Sequence, residues 1–407
     1  RDGGGTPSLH AWPPARSAAL QWRAPPAMRI LLASDSFDPA VGGVQRVVRD
    51  LAETLIEGGH EPVVLAPWAA GLEAAEEIGG VHVVRVRLGR PAVGARALLG
   101  FAARLPSARA HVAGLLRAFR PDVAHLHFLQ SPLAYLVPRA CRRAGVPLVV
   151  TAHGRDVVGP MVEDDPFGRR AVARTLAAAS VVTAPSNATL SDARRWVPGR
   201  PRGIWQAVPN ALPADMEGWL DRPAAQWTGV VAVGELHPKK GFDVLIRAVA
   251  RLPNVVLRIA GEGAQRGELE ALVDELGVGD RVALLGFVGR RDLPDLLRES
   301  AVQCVPSRRE PFGLVILEAF ACSVPVVASN VDGIPEVCGP EGPALLVAPD
   351  DPDGLATALS RVISETALRG RMIAAGRVRA SQLTRARHAE RTMDLYLRAI
   401  HGDGRAG

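Results

Sequence analysis

Two acidic residues, Glu310 and Glu318, stand eight positions apart in the segment EPFGLVILEA. Glu318 lies within an apolar run that is typical of a buried helix, where a carboxylate is costly unless it is paired or hydrogen-bonded. Glu310 falls in the loop before that helix, whose free N–H groups favour an anion. Two acids around such a helix start could hold the hydroxyl groups of a polyol beside a phosphate. An ion pair between Glu318 and a buried Arg, with Glu310 as an ordinary N-terminal acid, explains the local pattern equally well.

The composition narrows the class of protein. The chain has 407 residues, of which 48% are hydrophobic and 22% charged, which is ordinary globular usage and favours two domains. Its net charge of +6 is spread along the chain without interleaved aromatic residues, which argues against nucleic-acid binding. A modest basic excess suits small phosphorylated ligands or an anionic membrane surface. Four cysteines without a CxxC pair favour a reduced, cytoplasmic setting, and no apolar run is long enough to predict a membrane span or signal peptide.

Short apolar segments alternate with helical patterns from Met28 onward. In the first half, the predicted strands are MRILLAS, EPVVLAP, DVAHLHF, PLVVTAH and SVVTAPS. In the second half, they are VVAVGEL, VVLRIAG, RVALLGF, AVQCVPS and PVVAS. Such strands predict parallel sheets that are covered on both faces. The predicted fold class is therefore α/β, with two Rossmann-like parallel domains that face a central cleft at the carboxyl ends of their strands.

The periodicity also predicts domain boundaries. Residues 1–27 are low in complexity and are predicted to be a disordered extension, with Met28 as a candidate start. The other predicted segments are an N-terminal acceptor domain at 28–210, a linker at 211–229, a C-terminal donor domain at 230–375, and a C-terminal helix at 376–400 that could cross back to the first domain.

Longer segments resemble the retaining glycosyltransferases of family 4, which have the GT-B fold. In the first half, the matching segments are FDPAVGGVQRVVRDLAETL, PDVAHLHF, TAHGRD and APSNAT. In the second half, they are VGELHPKKGFDVLIRA, LRIAGEG, VPSRREPFGLVILEAFACSVPVVASNVDGIPEV and GPALLVAPDDPDGLATAL. Glu310 and Glu318 match the E-x7-E motif of that family. The resemblance implies a hexosyltransferase that moves a sugar from a nucleotide diphosphate donor, a UDP- or GDP-sugar, to a hydroxyl acceptor such as a glycan, lipid or small metabolite.

The resemblance also implies roles for individual residues. Glu318 would bind the ribose hydroxyls, Glu310 the hydroxyls of the donor sugar, and Lys240 the diphosphate. Gly43 would lie in a loop that closes over the phosphate or acceptor, and His153 beside the transferred sugar. Further donor contacts are implied at the backbone amides of Phe312, Gly313 and Leu314. The predicted catalytic residues are His153, Glu310 and Lys240, because preorganised charge at a leaving group is usually the largest catalytic contribution.

Glu235 departs from the family pattern, which implies an arginine facing the diphosphate at this position. An acid there would repel the diphosphate. We expect its side chain to turn away, while Lys240 and one of Arg308 and Arg309 supply the positive charge. Lys239 is expected to be a solvated neighbour of Lys240.

Two further predictions concern metal and membrane. His125 and His127 alternate on one strand face, but no third ligand has suitable spacing, so neither a metal ion nor a cofactor is predicted beside the nucleotide-sugar cosubstrate. Residues 96–120 form a basic, amphipathic segment that could contact an anionic membrane, although a packed helix with exposed arginines is commoner. The predicted location is therefore cytoplasmic, with peripheral contact at the inner membrane face as an open alternative.

Two other functions remain open at this point. Glu235 is compatible with a catalytically silent protein that binds a nucleotide sugar. A nucleotide-sugar epimerase of the same fold is also possible if Glu310 acts as a base near the sugar. A dehydrogenase is disfavoured because neither domain has a GxGxxG loop after its first strand.

Overall fold

The computed structural model describes residues 27–39, 42–89, 95–159, 166–199, 202–220 and 229–402. Within these residues the chain forms two sheets with helices packed on their faces. All ten strands expected from the apolar segments are present, and four further strands were not expected. The predicted extension at 1–27 lies outside the described residues except for Ala27.

The first sheet contains eight of the described strands, and all are parallel except β3, which runs antiparallel to β4. The strand order is β3-β4-β2-β1-β5-β6-β7-β8. The strands are β1 (Arg29–Ser34), β2 (Glu61–Pro67), β3 (Ala75–Ile78), β4 (Val81–Val86), β5 (Val123–His127), β6 (Leu148–Thr151), β7 (Val181–Ala184) and β8 (Ile204–Ala207).

The second sheet contains six of the described strands, all parallel, in the order β11-β10-β9-β12-β13-β14. Two of its inner strands, Val302–Val305 and Val326–Ser329, are buried along their whole length, as expected for strands covered on both faces. The strands are β9 (Val230–Val233), β10 (Leu257–Ala260), β11 (Val282–Gly286), β12 (Val302–Val305), β13 (Val326–Ser329) and β14 (Ala344–Val347).

The helices lie mainly in the connections between strands. Those described before β9 are α1 (Gly43–Glu57), α2 (Ala95–Phe119), α3 (Val137–Ala144), α4 (Pro166–Ala178), α5 (Asn187–Arg194) and α6 (Ala214–Glu217). Those after β9 are α7 (Phe242–Ala250), α8 (Arg266–Glu275), α9 (Leu293–Arg298), α10 (Leu314–Ala321), α11 (Ile334–Cys338), α12 (Pro352–Ser364), α13 (Thr366–Gln382) and α14 (Arg385–His401).

Each sheet separates two hydrophobic clusters because alternate residues of a strand point to opposite faces. In β1, Leu31 belongs to one cluster together with Val112 of α2. The neighbouring Ile30 belongs to the other, with Leu51 of α1 and Tyr396 of α14. The second sheet is enclosed by two further clusters in the same way.

The C-terminal segment differs from the prediction of one helix at 376–400. Two helices are present, α13 and α14, and the predicted boundary at 375 falls inside α13. The break comes at Leu383 and Thr384, where the Thr384 side chain accepts a hydrogen bond from the Arg387 amide and so caps α14. Helix α13 packs on α10 of the second domain, whereas α14 packs on α1 of the first. The C-terminal chain therefore contacts both domains.

Two other predicted segments can be located. The linker proposed at 211–229 contains the short helix α6, and residues 221–228 lie outside the described residues. The basic segment at 96–120 lies mostly in α2, which buries Ala108, Val112 and Leu116 in the first core. None of the described helices combines the length and apolar character needed to cross a bilayer.

Candidate functional site

The candidate site lies where strand ends from the two sheets face each other. The loop after β6 carries His153, and the loop after β12 carries Glu310. These loops touch, because a Cβ atom placed on Gly154 would overlap the ring of Pro311. Gly154 also has a φ of +104°, so a glycine is required here both for the backbone conformation and for the close approach. The fold thus brings the predicted catalytic residues of both halves to one cleft.

Lys240 and Glu310 form an ion pair in this cleft. The Nζ atom of Lys240 lies 2.5 Å from Oε2 of Glu310, whose residue is only 8% exposed. Lys240 ends the short 3-10 turn Pro238–Lys240, and Gly241 follows with a φ of +65°, where a Cβ atom would overlap the Pro306 carbonyl oxygen. The turn therefore fixes the direction of the lysine. The predicted diphosphate cation and the predicted sugar-binding acid are adjacent.

The start of α10 lies beside this ion pair. Gly313 is the N-cap of α10 with a φ of +97°, Phe312 before it is buried, and Leu314 opens the helix. A Cβ atom on Gly43 would lie 3.8 Å from Cδ1 of Leu314, so the start of α1 in the first domain faces the start of α10 in the second. Residues Phe312, Gly313 and Leu314 are thus placed where free helix amides could bind an anion.

Glu318 is buried at 4% exposure and has arginine partners from both domains. Its Oε1 atom lies 2.5 Å from Nη1 of Arg290 and 3.4 Å from Nη1 of Arg46. Arg290 also binds Asp215 through two hydrogen bonds of 2.5 and 2.9 Å. The ion-pair interpretation of Glu318 therefore describes these contacts, while its ribose role stays a prediction. Arg46 and Arg290 were not identified from the sequence, because Arg is frequent along the whole chain.

Glu235 points toward two cations. Its Oε2 atom lies 3.1 Å from Nζ of Lys239 and 3.7 Å from Nη1 of Arg155, which comes from the first domain. Burial raises the pKa of Glu235, but the hydrogen bond and charge of Lys239 outweigh it and hold the pKa below its usual value. Lys239, expected as a solvated neighbour of Lys240, is partly exposed at 22% and is also ion-paired with Glu235.

The expected contribution of Arg308 or Arg309 to the positive charge is not supported. Arg308 donates two hydrogen bonds to Asp243, at 2.7 and 2.9 Å, and a third to Asp350 at 2.6 Å. Arg309 is paired with Asp332 at 2.9 Å and with Asp192 at 3.0 Å. Both guanidinium groups are thus largely neutralised by carboxylates.

His153 is held in a neutral form. Burial lowers the pKa of His153 to about 3, with a smaller contribution from His388. Its Nε2 atom lies 3.2 Å from Nδ1 of His127, which is only 1% exposed and whose pKa is also lowered well below the usual value by burial. A neutral imidazole can donate or accept a hydrogen bond in the cleft without adding charge.

Asp156 positions the loop that carries His153. Its two carboxylate oxygens accept hydrogen bonds from the backbone N–H groups of His153 and Leu129, both at 2.8 Å. Burial raises the pKa of Asp156 to about 6, although these hydrogen bonds oppose the shift. Asp156 was not identified from the sequence, where the available signal was a carboxylate directly before two valines in the segment HGRDVV.

His125 belongs to the core rather than to the cleft. Its ring nitrogens lie 2.7 Å from the hydroxyl of Tyr396 and 2.6 Å from that of Thr151. No group of three or more His, Cys, Asp or Glu side chains arranged to hold a metal ion occurs within the part of the chain that the structure describes.

Two family models match the chain. The model described as Glycosyltransferase Family 4 matches residues 41–213, and the one described as Glycosyl transferases group 1 matches residues 228–379. An uncharacterized glycosyltransferase of Methanocaldococcus jannaschii is 30% identical over 368 residues, covering 84% of this chain and 90% of that protein. Glycogen synthase of Mycobacterium tuberculosis is 29% identical over 408 residues, covering 92% of this chain and 96% of that protein.

Solved structures show the same architecture. Sucrose-phosphate synthase from Thermosynechococcus elongatus superposes with a TM-score of 0.74 at 25% identity, covering 92% of this chain and 99% of that chain. HepE from Anabaena, solved in complex with UDP, shares the fold with a TM-score of 0.69 at 23% identity, covering 90% and 99%. The predicted fold class, two Rossmann-like parallel α/β domains in the GT-B arrangement, is confirmed. This chain therefore belongs to glycosyltransferase family 4 and is a glycosyltransferase.

Proposed function

We propose that this enzyme transfers a hexosyl group from a UDP- or GDP-sugar to a hydroxyl acceptor such as a glycan, lipid or small metabolite, with retention of anomeric configuration. The observation that carries the proposal is the Lys240–Glu310 pair at 2.5 Å beside the N-terminus of α10. A cation and free helix amides suit a diphosphate, and a carboxylate next to them suits sugar hydroxyls.

The proposed role of each site residue follows from the charges that develop during the reaction. Departure of a nucleoside diphosphate places negative charge on the leaving group and positive charge on the anomeric carbon. Lys240 and the amides of Phe312, Gly313 and Leu314 would stabilise the leaving diphosphate, because they are already oriented before the reaction. Glu310 would hold the donor sugar through its hydroxyls, and Glu318 the ribose.

His153 would act as a hydrogen-bonding group rather than as a general acid. With a pKa of about 3, its imidazole is not protonated to imidazolium at neutral pH, so it has no acidic proton to give to the leaving group. From its place in the first domain, His153 would hydrogen-bond a hydroxyl of the transferred sugar. Gly43 would allow the start of α1 to approach the phosphate or acceptor. Neither role needs a metal ion or a cofactor, and we expect transfer to proceed without either.

A thermal-shift panel of UDP-, GDP-, ADP- and dTDP-sugars tests the donor assignment. A ligand at a hundred times its dissociation constant should add about 2.7 kcal/mol to the free energy of unfolding. NMR of the product formed with a panel of hydroxyl acceptors then reports the anomeric configuration. No stabilisation by any nucleotide sugar would contradict the proposal, and an inverted product would contradict retention.

The two alternatives give different results in the same assays. A silent binder would be stabilised by a nucleotide sugar but would neither transfer nor slowly hydrolyse it. An epimerase would change the donor sugar in the absence of any acceptor.

Contact with an anionic membrane through α2 is a separate proposal. The helix contains no acidic residue, and it exposes Arg104, Arg109 and Arg117 as well as Leu99, which is 71% exposed. Co-sedimentation with anionic vesicles, but not with neutral ones, is the expected result. Equal recovery with both kinds of vesicle would contradict it.

A further inference from the structure

The loop that carries Glu310 is held by the first domain. The hydroxyl of Ser186 donates a hydrogen bond of 2.7 Å to the carbonyl oxygen of Pro311, and the hydroxyl of Thr189 donates to the same oxygen at 3.3 Å. Ser186 and Thr189 lie at the start of α5 and are 0% and 2% exposed. Because Pro311 directly follows Glu310, these bonds act one residue away from the acid proposed to bind the sugar.

A carboxylate of the second domain caps the same helix. Glu336 in α11 accepts hydrogen bonds from the backbone and side-chain N–H groups of Asn187, at 2.8 and 2.9 Å, and from the Ala188 amide at 3.1 Å. Amides in the first turn of a helix have no partner within the helix, and a negative charge there is stabilising. One side chain of the second domain thus supplies partners for the first two amides of a helix in the first domain, whose third amide is capped by Ser186.

A chain of contacts also links helix α5 to the backbone amide of Glu310. Arg309 pairs with Asp192 of α5 at 3.0 Å and with Asp332 at 2.9 Å. Asp332 in turn accepts a hydrogen bond of 2.8 Å from the Glu310 amide. Residues on both sides of Glu310 are therefore tied to α5, while Pro311 also rests against Gly154, the neighbour of His153.

We propose that Ser186, Thr189 and Glu336 are positioning residues of the transfer reaction, which hold the Glu310 loop against the first domain and so fix Glu310 relative to His153. This inference rests on the proposed function of those two residues. Two domains joined by a modest, polar interface move relative to each other by default, and a site divided between them is complete only when they are closed.

The proposal predicts different effects on kcat and on nucleotide affinity. The proposed nucleotide contacts of Lys240 and Glu318 lie in the second domain, so they do not require the contacts to α5. The sugar, in contrast, would be held between Glu310 and His153. Loss of the contacts to α5 should therefore lower kcat and leave nucleotide affinity nearly unchanged, whereas a purely structural role would leave kcat of the folded enzyme unaltered.

Thr189→Val, Glu336→Gln and the double variant test this in the full-length protein. Thr189→Val keeps the side-chain shape and leaves the Ser186 cap in place. The matched controls are Ser191→Ala, an exposed residue of α5, and Glu275→Gln, an exposed acid of the second domain. Each test substitution should lower kcat about two- to tenfold, the range for one lost hydrogen bond, and the controls should not.

The affinities for UDP and GDP, measured by calorimetry, should stay within about twofold of wild type. A double variant with wild-type kcat would overturn the proposal. So would a parallel fall in kcat and nucleotide affinity, because that would mean that the second domain itself is disturbed.

A distance measurement tests the same contacts without relying on activity. Spin labels at Ala110→Cys and Ala271→Cys, both exposed and one in each domain, report the separation of the domains, since Cys141, Cys304, Cys322 and Cys338 are buried. With UDP bound, the wild type should show one short, narrow distance distribution, and the Thr189→Val, Glu336→Gln protein an added longer one. Identical distributions would overturn the proposal. If the wild type transfers no sugar at all, the proposed function fails, but this measurement still decides whether α5 holds the domains closed.

Discussion

The two domains bring side chains of different electrical character to the same cleft. The first domain supplies imidazoles that burial keeps neutral, His153 at the cleft and His127 behind it. Its charged contributions, Arg46 and Arg155, serve as partners of acids in the second domain. The second domain supplies charged groups in pairs, Lys240 with Glu310 and Arg290 with Glu318. The difference matches the proposed ligands: a leaving diphosphate needs fixed positive charge, whereas a sugar hydroxyl needs a hydrogen-bond partner.

The division also places charge where the reaction tolerates it. Positive charge develops on the anomeric carbon during glycosyl transfer, and a protonated histidine beside it would oppose that change. Burial of His153 against His127 prevents protonation at neutral pH. Charge is instead concentrated at the strand ends of the second domain, beside the N-terminus of α10.

The basic residues themselves show the same specialisation. Lys239 and Lys240 are the only lysines in the sequence, and all the others among its 48 Lys and Arg residues are arginines. An ammonium group is a compact point charge with three donors, so it can contact a carboxylate and a phosphate together, whereas a guanidinium binds in a planar fork. We infer that an arginine at position 240 could not contact the carboxylate and the phosphate together as Lys240 can.

Replacement of Lys240 should give the largest effect. Lys240→Ala should lower kcat about 10²- to 10³-fold, the usual scale for removing one preorganised donor at a leaving group. Lys240→Arg should restore only part of the activity, because the fork does not reproduce the point charge. Steady-state kinetics with the best nucleotide sugar measure both variants, with Lys239→Arg as the matched control. Near-normal turnover of Lys240→Ala would remove it from the site.

Replacement of Glu318 should act mainly on nucleotide binding. Glu318→Ala should weaken UDP or GDP binding about ten- to a hundredfold, because a ribose contact is present before and during the reaction. Arg290→Gln also breaks the Arg290–Glu318 pair but leaves the carboxylate, so it should weaken binding much less. Calorimetric titration compares them. Equal losses in the two variants would show that the ion pair, and not a ribose contact, is what matters.

Acidification should destabilise the first domain through its neutral histidines. The pKa of His153 is about 3 when folded and about 6.5 in an unfolded chain, so the unfolded state binds more protons between these values. Stability from this group is thus present above pH 6.5 and is lost as the pH falls, with a slope that approaches about 1.4 kcal/mol per pH unit once the pH is well below 6.5. The pKa of Asp156 is raised to about 6, so this group stabilises the folded state as the pH falls. The pH dependence of wild-type stability is therefore the sum of two opposed contributions.

Comparison of variants isolates the contribution of His153. Between pH 6.5 and 5.5, wild type should lose about 1 kcal/mol more unfolding free energy than His153→Gln in urea titrations. His401→Gln, at an exposed position, should behave as wild type. The same pH dependence in His153→Gln and wild type would show that His153 is not held neutral.

The smallest effect is expected at Glu235. Its carboxylate is paired with Lys239 and Arg155, so Glu235→Gln should change donor affinity by less than about threefold, the scale of a partly exposed ion pair. Titration of UDP and GDP into both forms provides the measurement. Tightening of tenfold or more, with newly gained transfer, would mean that Glu235 faces the diphosphate and that the natural protein is the silent binder.

Much of the fold followed from the sequence because its signals are local. Apolar strands and amphipathic helices alternate, so all ten predicted strands and the parallel arrangement could be read from periodicity. The four strands that were missed are β3, β4, β8 and β14, and their burial patterns are mostly mixed rather than continuously apolar. The division of the C-terminal segment into α13 and α14 depends on one capping threonine, which a weak helical pattern does not reveal.

Only part of the candidate site could be predicted from the sequence. The positions of Glu310, Glu318, Lys240 and His153 could be proposed because each stands in a distinctive local segment. Their partners could not, because Glu318 and Arg46 are 272 positions apart and no local pattern links them.

The sequence by itself determined which residue types stand at each strand end, since loop composition and strand periodicity are local properties of the chain. Only the tertiary structure decided which of these residues are paired, neutral or shared between domains. Arg308 and Arg309 look like available cations in the sequence, but folding places two carboxylates against each. Ion pairing and desolvation depend on distances of a few ångströms between residues that are far apart in the chain, and those distances exist only after both domains have folded and met.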